Sequence, residues 1–278
     1  MKTVRGKVAV ITGGASGIGR SVAERAAAEG MKLVLADIEE GALKLTADAL
    51  TSSGAEVEAV VTDVSEGSDV EALRDRALER FGAVHLVHNN AGVGVGGPLW
   101  TVSEADWKWI LGVNLWGVVH GIRTFVPLLV EQDEGHVVNT ASMAGLTSPA
   151  FLGPYNATKH AVTTISETLY RDLQSTGSSV GVSVLCPGFV RTGIAESERN
   201  RPQWAPGPGD DPAAGVLRDA IHQLVAGGIE PGVVADRVLD AVRTDTFYIL
   251  THDDSRSMVE TRMDDILEGR SPSDMPIV

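Results

Sequence analysis

The chain is predicted to be an α/β protein: a three-layer, doubly wound parallel sheet (Rossmann-like) with helices on both faces. Three observations carry this. Short β-rich runs alternate with helix-length runs through most of the 278 residues, the order that yields a parallel sheet. The first run ends in Thr12-Gly13-Gly14-Ala15-Ser16-Gly17-Ile18-Gly19, a glycine turn joining strand to helix. The chemically suggestive residues fall at or just after strand ends, where open α/β sheets bind ligands.

The elements follow in order. Lys7–Thr12 is a buried first strand, and Ile18–Glu29 is a helix stopped by Gly30. Lys32–Ala36 is a second strand ending at Asp37, and Glu39–Ser53 is a helix ended by Gly54. Glu56–Thr62 is a third strand ending at Asp63, and Gly82 closes the helix Ser68–Phe81. Val84–His88 leads into Asn89-Asn90-Ala91-Gly92. Ser103-Glu104-Ala105-Asp106 reads as the capped start of a helix that runs to about Glu131. Gly112, Gly117 and Gly121 along it would let another element pack closely, and Pro127 lies near its end. Gly135–Thr140 is a fifth strand, Tyr155–Ser175 a long helix, and Ser179–Leu185 a sixth strand closed by Cys186-Pro187-Gly188. Pro202, Pro206, Pro208 and Pro212 break the periodicity of 192–215, a variable segment expected to be mobile over the active-site face. Ala213–Val225 and Val233–Thr244 are helical, Phe247–Thr251 is a last strand, and Met258–Leu267 is a short helix. The tail from Ser271 is expected to fray. All of 1–278 is read as one dinucleotide-binding and catalytic domain, with a C-terminal extension at 245–278.

Composition excludes several function classes. The hydrophobic content of 43% suits one sizeable core. No apolar run reaches the roughly 18 residues of a membrane span, and the start lacks the hydrophobic stretch of a signal peptide. One cysteine, Cys186, rules out an intrachain disulfide framework, so a cytoplasmic setting is expected. The formal charge of −14 makes nucleic acid and anionic membranes poor partners. The seven histidines show no H-E-x-x-H spacing, so no metal site is expected. Asp253-Asp254 and Asp264-Asp265 read as solvated charges. Trp100, Trp107 and Trp109 read as core or subunit contacts, and His160 as pointing away from the site.

The glycine turn is the candidate nucleotide site. Gly13, Ser16, Gly17, Ile18 and Gly19 would let a pyrophosphate approach the backbone, with a helix N-terminus donating amides and partial positive charge. Asp37, at the end of the second strand, stands where an acidic residue meets ribose hydroxyls. A carboxylate there repels a 2′-phosphate, which favours NAD over NADP. Ile38 brings no compensating cation, although Arg20 is close enough to keep NADP open. Asp63 and Val64 are placed for the adenine ring, and Asn90, Ala91 and Gly92 for the adjoining ribose.

Tyr155 and Lys159 lie four residues apart, and four helical residues rotate about 400° and rise roughly 6 Å, so both share one face. A phenol titrates near 10 unaided, and an ammonium beside it is expected to pull that value toward neutrality. Hydride transfer to a carbonyl creates an alkoxide, which needs a proton and a hydrogen-bond donor; Tyr155 and Ser142 together meet both needs. Asn114 is a polar side chain in a largely apolar helical stretch.

With these pieces in place, the chain resembles the short-chain dehydrogenase/reductase family in its single-domain branch. The matching residues are Thr-Gly-Gly-Ala-Ser-Gly-Ile-Gly at 12–19, Asn-Asn-Ala-Gly at 89–92, Asn114, Ser142, Tyr-x-x-x-Lys at 155–159 and Pro-Gly at 187–188. The resemblance covers roughly residues 5–195. It implies that Tyr155 is the acid–base, that Lys159 lowers the tyrosine pKa and binds nicotinamide ribose, and that Ser142 hydrogen-bonds the substrate oxygen. It further implies that Asn114 holds a water on the proton path, and that Pro187, Gly188, Val190 and Thr192 border the nicotinamide. The family's usual assembly is a homotetramer or homodimer through the helices of Asn114 and Tyr155. Expected substrate-cleft residues are Val93 to Gly96, Ala144, Gly145, Phe151, Leu152, Phe189 and Trp204. Most are apolar, pointing to a hydrophobic secondary alcohol or ketone, with only Arg191 placed to grip an anion. The alternatives are an NADP-dependent ketoreductase, including 3-oxoacyl thioester reduction, and a nucleotide-sensing module without turnover.

Overall fold

The computed structural model describes residue 1 and residues 3–207 and 212–274. Pro208, within the expected variable segment, and the last four residues of the tail lie outside the described residues. The strands are β1 (Val8–Thr12), β2 (Lys32–Asp37), β3 (Val57–Val61), β4 (Leu86–Asn89), β5 (His136–Thr140), β6 (Gly181–Cys186) and β7 (Tyr248–Leu250). They form one seven-stranded sheet in the order β3-β2-β1-β4-β5-β6-β7, with every neighbouring pair parallel. Helices α1 (Gly17–Ala28), α2 (Glu40–Ser52), α3 (Gly67–Phe81), α4 (Glu104–Ile110), α5 (Gly117–Gln132), α6 (Gly153–Ser175), α7 (Pro212–Ala226), α8 (Pro231–Thr244) and α9 (Ser255–Glu268) make the crossovers and the C-terminal elaboration.

Period-two alternation inside the strands divides the core. Ala9, Ile11, Leu33 and Leu35 pack with Val22, Ala23 and Ala26 of α1 and Val234, Val238 and Val242 of α8. Val8, Val10 and Val34 face the other way, onto Val70, Leu73 and Ala77 of α3 and Phe125 and Leu129 of α5. Both faces of the sheet are covered, which is why the strands read as continuous apolar runs. The strand order reverses between β1 and β4, so the carboxyl ends of these two strands open the crevice that holds the site.

The long apolar helix is the element that differs most from its sequence reading. Ser103 and Asp106 form the expected capping box, but the run then passes through a π-helical turn, Leu111–Trp116, before α5. From Glu104 to Gln132 it is 29 residues, long and apolar enough by length and composition to cross a membrane, contrary to the reading that no such stretch exists. Here it is a core helix, its apolar face set on the sheet through Phe125 and Leu129. The glycines along it admit the close packing expected of them. A Cβ at Gly112 would meet Ser65 at 3.3 Å, one at Gly117 would meet Val64 at 2.8 Å, and one at Gly121 would enter Asn89. They are small because the chain's own β3 and β4 ends press against them.

Two further expectations change. Asp265 is buried rather than solvated, and it accepts hydrogen bonds from the backbone and hydroxyl of Ser273. Those bonds hold the start of the tail that was expected to fray, because a buried carboxylate needs donors. Within 192–215, Gly193–Asn200 forms 3₁₀ turns rather than irregular chain.

Gly121→Ala is expected to cost about 2 kcal/mol of stability and to lower Tm by roughly 5 °C. Gly41→Ala in α2, where nothing lies within 4 Å, should be neutral or stabilising. Thermal unfolding followed by far-UV circular dichroism checks the pair.

Candidate active site

The carboxyl ends of β1 to β6 line one continuous cleft of about 940 Å³. Of the residues singled out from sequence, Gly13, Ser16, Gly17, Ile18, Asp37, Ile38, Asp63, Val64, Asn90, Ala91 and Gly92 line its nucleotide half. Ser142, Tyr155, Lys159, Pro187, Gly188, Val190 and Thr192 also line it, so residues spread over 180 positions converge.

The nucleotide half is built from backbone. Gly13 and Gly17 have φ of +63° and +53°, the left-handed region that favours glycine. Gly19 is the tightest point, since a Cβ there would enter the Gly13 carbonyl and sit 2.7 Å from Asn90 Nδ2. Thr12 fixes the turn against β4: its hydroxyl accepts from the amides of Asn90 (2.9 Å) and Ala91 (3.1 Å). The first turn of α1 begins at Ser16, whose side chain makes no cap hydrogen bond, so its amides are left to a ligand. Asp37 is set by two amide donors, Ala15 and Glu39, each at 3.0 Å. Burial pushes its carboxyl above the usual carboxylate range, and these amide bonds pull it back. A backbone cradle without a Cβ beside a fixed carboxylate is the donor and acceptor set that a dinucleotide's pyrophosphate and ribose require. Arg20 is paired with Glu24 at 2.8 Å and does not line the cleft.

The chemical half stands on β5, α6 and the π turn. Ser142 follows β5, is buried, and caps the short 3₁₀ turn Met143–Gly145 by accepting from Ala144 N at 3.1 Å. Its hydroxyl donates to Pro187 O at 3.3 Å. Tyr155 and Lys159 share a face of α6, with the Lys159 ammonium 5.4 Å from the Tyr155 ring centre. The ammonium donates to Thr140 O at 2.8 Å.

Their electrostatics differ from the sequence reading. Burial raises the Tyr155 phenol above its ordinary value of 10, and the Ser142 hydroxyl offsets part of that rise. Burial lowers Lys159 to about 8. Each group resists its charged form more than the other stabilises it, because the ammonium is aimed at a carbonyl rather than at the phenol oxygen.

Asn114 lies in the π turn and is buried. Its Oδ1 accepts from Val93 N at 2.8 Å and its Nδ2 donates to Val93 O at 2.9 Å and to Thr158 Oγ1 at 3.4 Å. The side chain is therefore committed to holding the cleft wall, which leaves any water contact to other atoms of the turn.

On the substrate side, Val93, Gly94, Val95, Gly96, Ala144, Leu152, Phe189 and Trp204 line the cleft. Phe151 does not: it turns at φ +63°, is half exposed, and gives its carbonyl to Gly97 N at 2.8 Å. Gly145 packs on the backbone of Lys159 instead. Arg191 is paired with Glu230 at 2.6 Å and grips nothing in the cleft. Trp109 is core, packed with Val93, Val95 and Ile110, and with Trp107 it borders the cleft, whereas Trp100 is exposed. His160 bonds Asn156 O at 3.0 Å, away from the site as expected, and Cys186 is buried.

Sequence reasoning placed the segment after Thr192 over the site but missed the side-chain pairs that fasten it as a strap across the cleft. Thr192 packs on Gly17, and from there Gly193–Asn200 reaches the adenosine end. There Glu39 Oε1 accepts from Arg199 Nε and Asn200 Nδ2, both at 2.9 Å. Arg201 fastens the other side, donating to Asp106 at 2.7 Å and stacking 4.5 Å over Trp109. These partners are 160 and 95 residues apart, so no local spacing signals them.

The doubly wound sheet and its cleft, with a glycine turn at one end and Ser142, Tyr155 and Lys159 at the other, define the class of dinucleotide-dependent oxidoreductases. A family model described as short chain dehydrogenase matches residues 7–203, and the chain belongs to that family. It is 34% identical over 277 residues to a CLA biosynthesis dehydrogenase/reductase of Lactiplantibacillus plantarum, covering 98% of this chain and 97% of that one. It is 36% identical over 264 residues to a 1-deoxy-11-beta-hydroxypentalenate dehydrogenase of Streptomyces exfoliatus, covering 94% and 88%. A short-chain dehydrogenase/reductase of Burkholderia phymatum, solved in complex with NAD, superposes with a TM-score of 0.97 at 49% identity over the full length of both chains.

Lys159→Met tests the electrostatic account. The folded-state value of about 8 lies below the unfolded 10.5, so the buried ammonium costs stability below pH 8, and this cost fades between pH 8 and 10.5. The variant should be more stable than the parent by about 2 kcal/mol at pH 7, with the gap closing above pH 8. Urea unfolding at pH 7 and pH 10 checks it.

Proposed function

We propose that the protein transfers hydride between NAD(H) and a hydrophobic secondary alcohol or ketone. The observation that carries this is the placement of Ser142 and Tyr155 on one wall of the cleft whose other end holds the glycine turn and Asp37. NAD would supply the hydride acceptor or donor. In alcohol oxidation, Tyr155 acts as the phenolate, its proton first released to solvent; it takes the hydroxyl proton while hydride leaves the carbinol carbon for the cofactor, and Ser142 hydrogen-bonds the same oxygen as it becomes a carbonyl. In reduction, Tyr155 returns that proton to the alkoxide oxygen. Lys159, held on Thr140 O, places a cation beside the phenol at the point where the phenolate forms. Asn114 keeps Val93 at the wall, so the reacting carbon meets a dry apolar surface.

Asp37 supports NAD over NADP. Its carboxylate is fixed by two amides, and the nearby Arg20 is turned to Glu24. The Burkholderia relative bound to NAD agrees with this preference. The apolar residues Val93, Val95, Leu152, Phe189 and Ile194 support a hydrophobic substrate. The name of the Streptomyces exfoliatus relative, 1-deoxy-11-beta-hydroxypentalenate dehydrogenase, includes a hydroxyl group, which supports an alcohol substrate here. A cytoplasmic homotetramer or homodimer is the assembly we propose from family resemblance.

Tyr155→Phe should lower kcat by at least about 10³-fold and Ser142→Ala by about 10²-fold, with NADH binding retained in both. A panel of cyclic, aryl and aliphatic alcohols and ketones, followed at 340 nm, supplies the rates; full turnover in Tyr155→Phe would refute the assignment. Absence of any absorbance change in the parent, with NADH still bound, would favour a nucleotide sensor.

Asp37→Ala combined with Ile38→Arg should move the kcat/KM ratio toward NADP by at least about tenfold. An unchanged ratio would show that Asp37 does not face the ribose.

A further inference from the structure

In the C-terminal extension, Thr251-His252 follows β7, and His252 lies against the segment Pro187-Gly188-Phe189. Its Nδ1 accepts from Gly188 N at 3.2 Å, and its Nε2 lies 3.1 Å from Phe189 O. A carbonyl only accepts, so Nε2 carries the proton and the ring is the neutral Nε2–H tautomer, assigned from its partners. Thr251 Oγ1, 2.9 Å from Nδ1, completes the ring's contacts. The fit is tight: a Cβ on Gly188 would come within 3.0 Å of the imidazole.

The same segment is gripped from its other sides. Ile229 N donates to Phe189 O at 3.0 Å, and Met143 N donates to Pro187 O at 2.9 Å. Pro187 O also accepts the Ser142 hydroxyl. One carbonyl therefore sits between the serine and a loop whose next two residues are bracketed by His252. A shift of that loop moves both the cleft wall at Pro187 and Gly188 and the acceptor that aims Ser142.

We infer that His252 is a positioning residue for hydride transfer: it fixes the Pro187–Phe189 wall against the nicotinamide end of the cofactor and, through Pro187 O, sets the Ser142 hydroxyl. The inference rests on the function proposed above. It gives the C-terminal extension a task in the site, although no atom of His252 lines the cleft.

His252→Phe keeps an aromatic ring and removes both hydrogen bonds, while His252→Asn restores an acceptor near Nδ1. The full-length parent and both variants are compared for NADH and ADP-ribose affinity, kcat, Tm, and the stereochemistry of deuteride transfer from NADH labelled on either face of C4. His252→Phe is expected to lose about tenfold to hundredfold in kcat and to weaken NADH binding. It should leave ADP-ribose affinity within twofold, since that ligand lacks the nicotinamide, and should leak deuterium from the wrong face. His252→Asn should recover part of kcat. Parental kcat and stereochemistry in His252→Phe would overturn the inference. An equal loss of ADP-ribose and NADH binding, with a collapsed Tm in both variants, would also overturn it by showing a role in folding alone. A parent that binds NADH but turns over no alcohol or ketone would instead overturn the function on which the inference rests.

Discussion

The site depends on a cation kept in a place that resists it. Lys159 is buried in α6 and has one strong partner, the carbonyl of Thr140 at the last residue of β5. A carbonyl dipole only partly replaces lost hydration, so burial wins and the ammonium gives up its proton near pH 8. The contact also joins the two elements that carry Ser142 and Tyr155. The register of α6 on the sheet is thus tied to an electrostatic compromise, and the phenol inherits it: burial outweighs the neighbouring ammonium, so Tyr155 holds its proton more tightly than a free phenol does.

What could be read from the sequence was what short spacing encodes. The glycine turn, the Tyr155–Lys159 face and the strand ends at Asp37, Asp63 and Asn90 each depend on neighbours a few residues away, and all stand in the cleft. The strand–helix order followed from alternation, with boundaries shifted by one to three residues. The strap's anchors were illegible because Glu39 and Asp106 are ordinary surface acids until the fold brings Arg199 and Arg201 to them. Phe151 was misplaced for a related reason: an apolar residue between β5 and α6 looks like cleft lining, but a positive φ turns it to solvent. The electrostatic direction was missed because adjacency on a helix face says nothing about where an ammonium points.

The long helix shows how one sequence feature serves several demands. Gly117 and Gly121 let it lie close to Val64 and Asn89, which brings the π turn to the end of β4. The turn swings Asn114 inward, where its amide grips both backbone groups of Val93. A polar residue in an apolar helix, glycines at its contacts and a break in its hydrogen-bond ladder are therefore parts of one arrangement. Its high hydrophobicity reflects coverage of the sheet.

The strap differs in kind from the sheet beneath it. It is fastened by side-chain ion pairs at both banks of the crevice, whereas the strands are joined by backbone ladders and a shared core. Loop length and composition between Gly193 and the start of α7 can therefore drift without disturbing strand register, provided an anchoring acid remains at either shore. Such a division lets a lineage remodel what it accepts as substrate while its redox apparatus stays untouched.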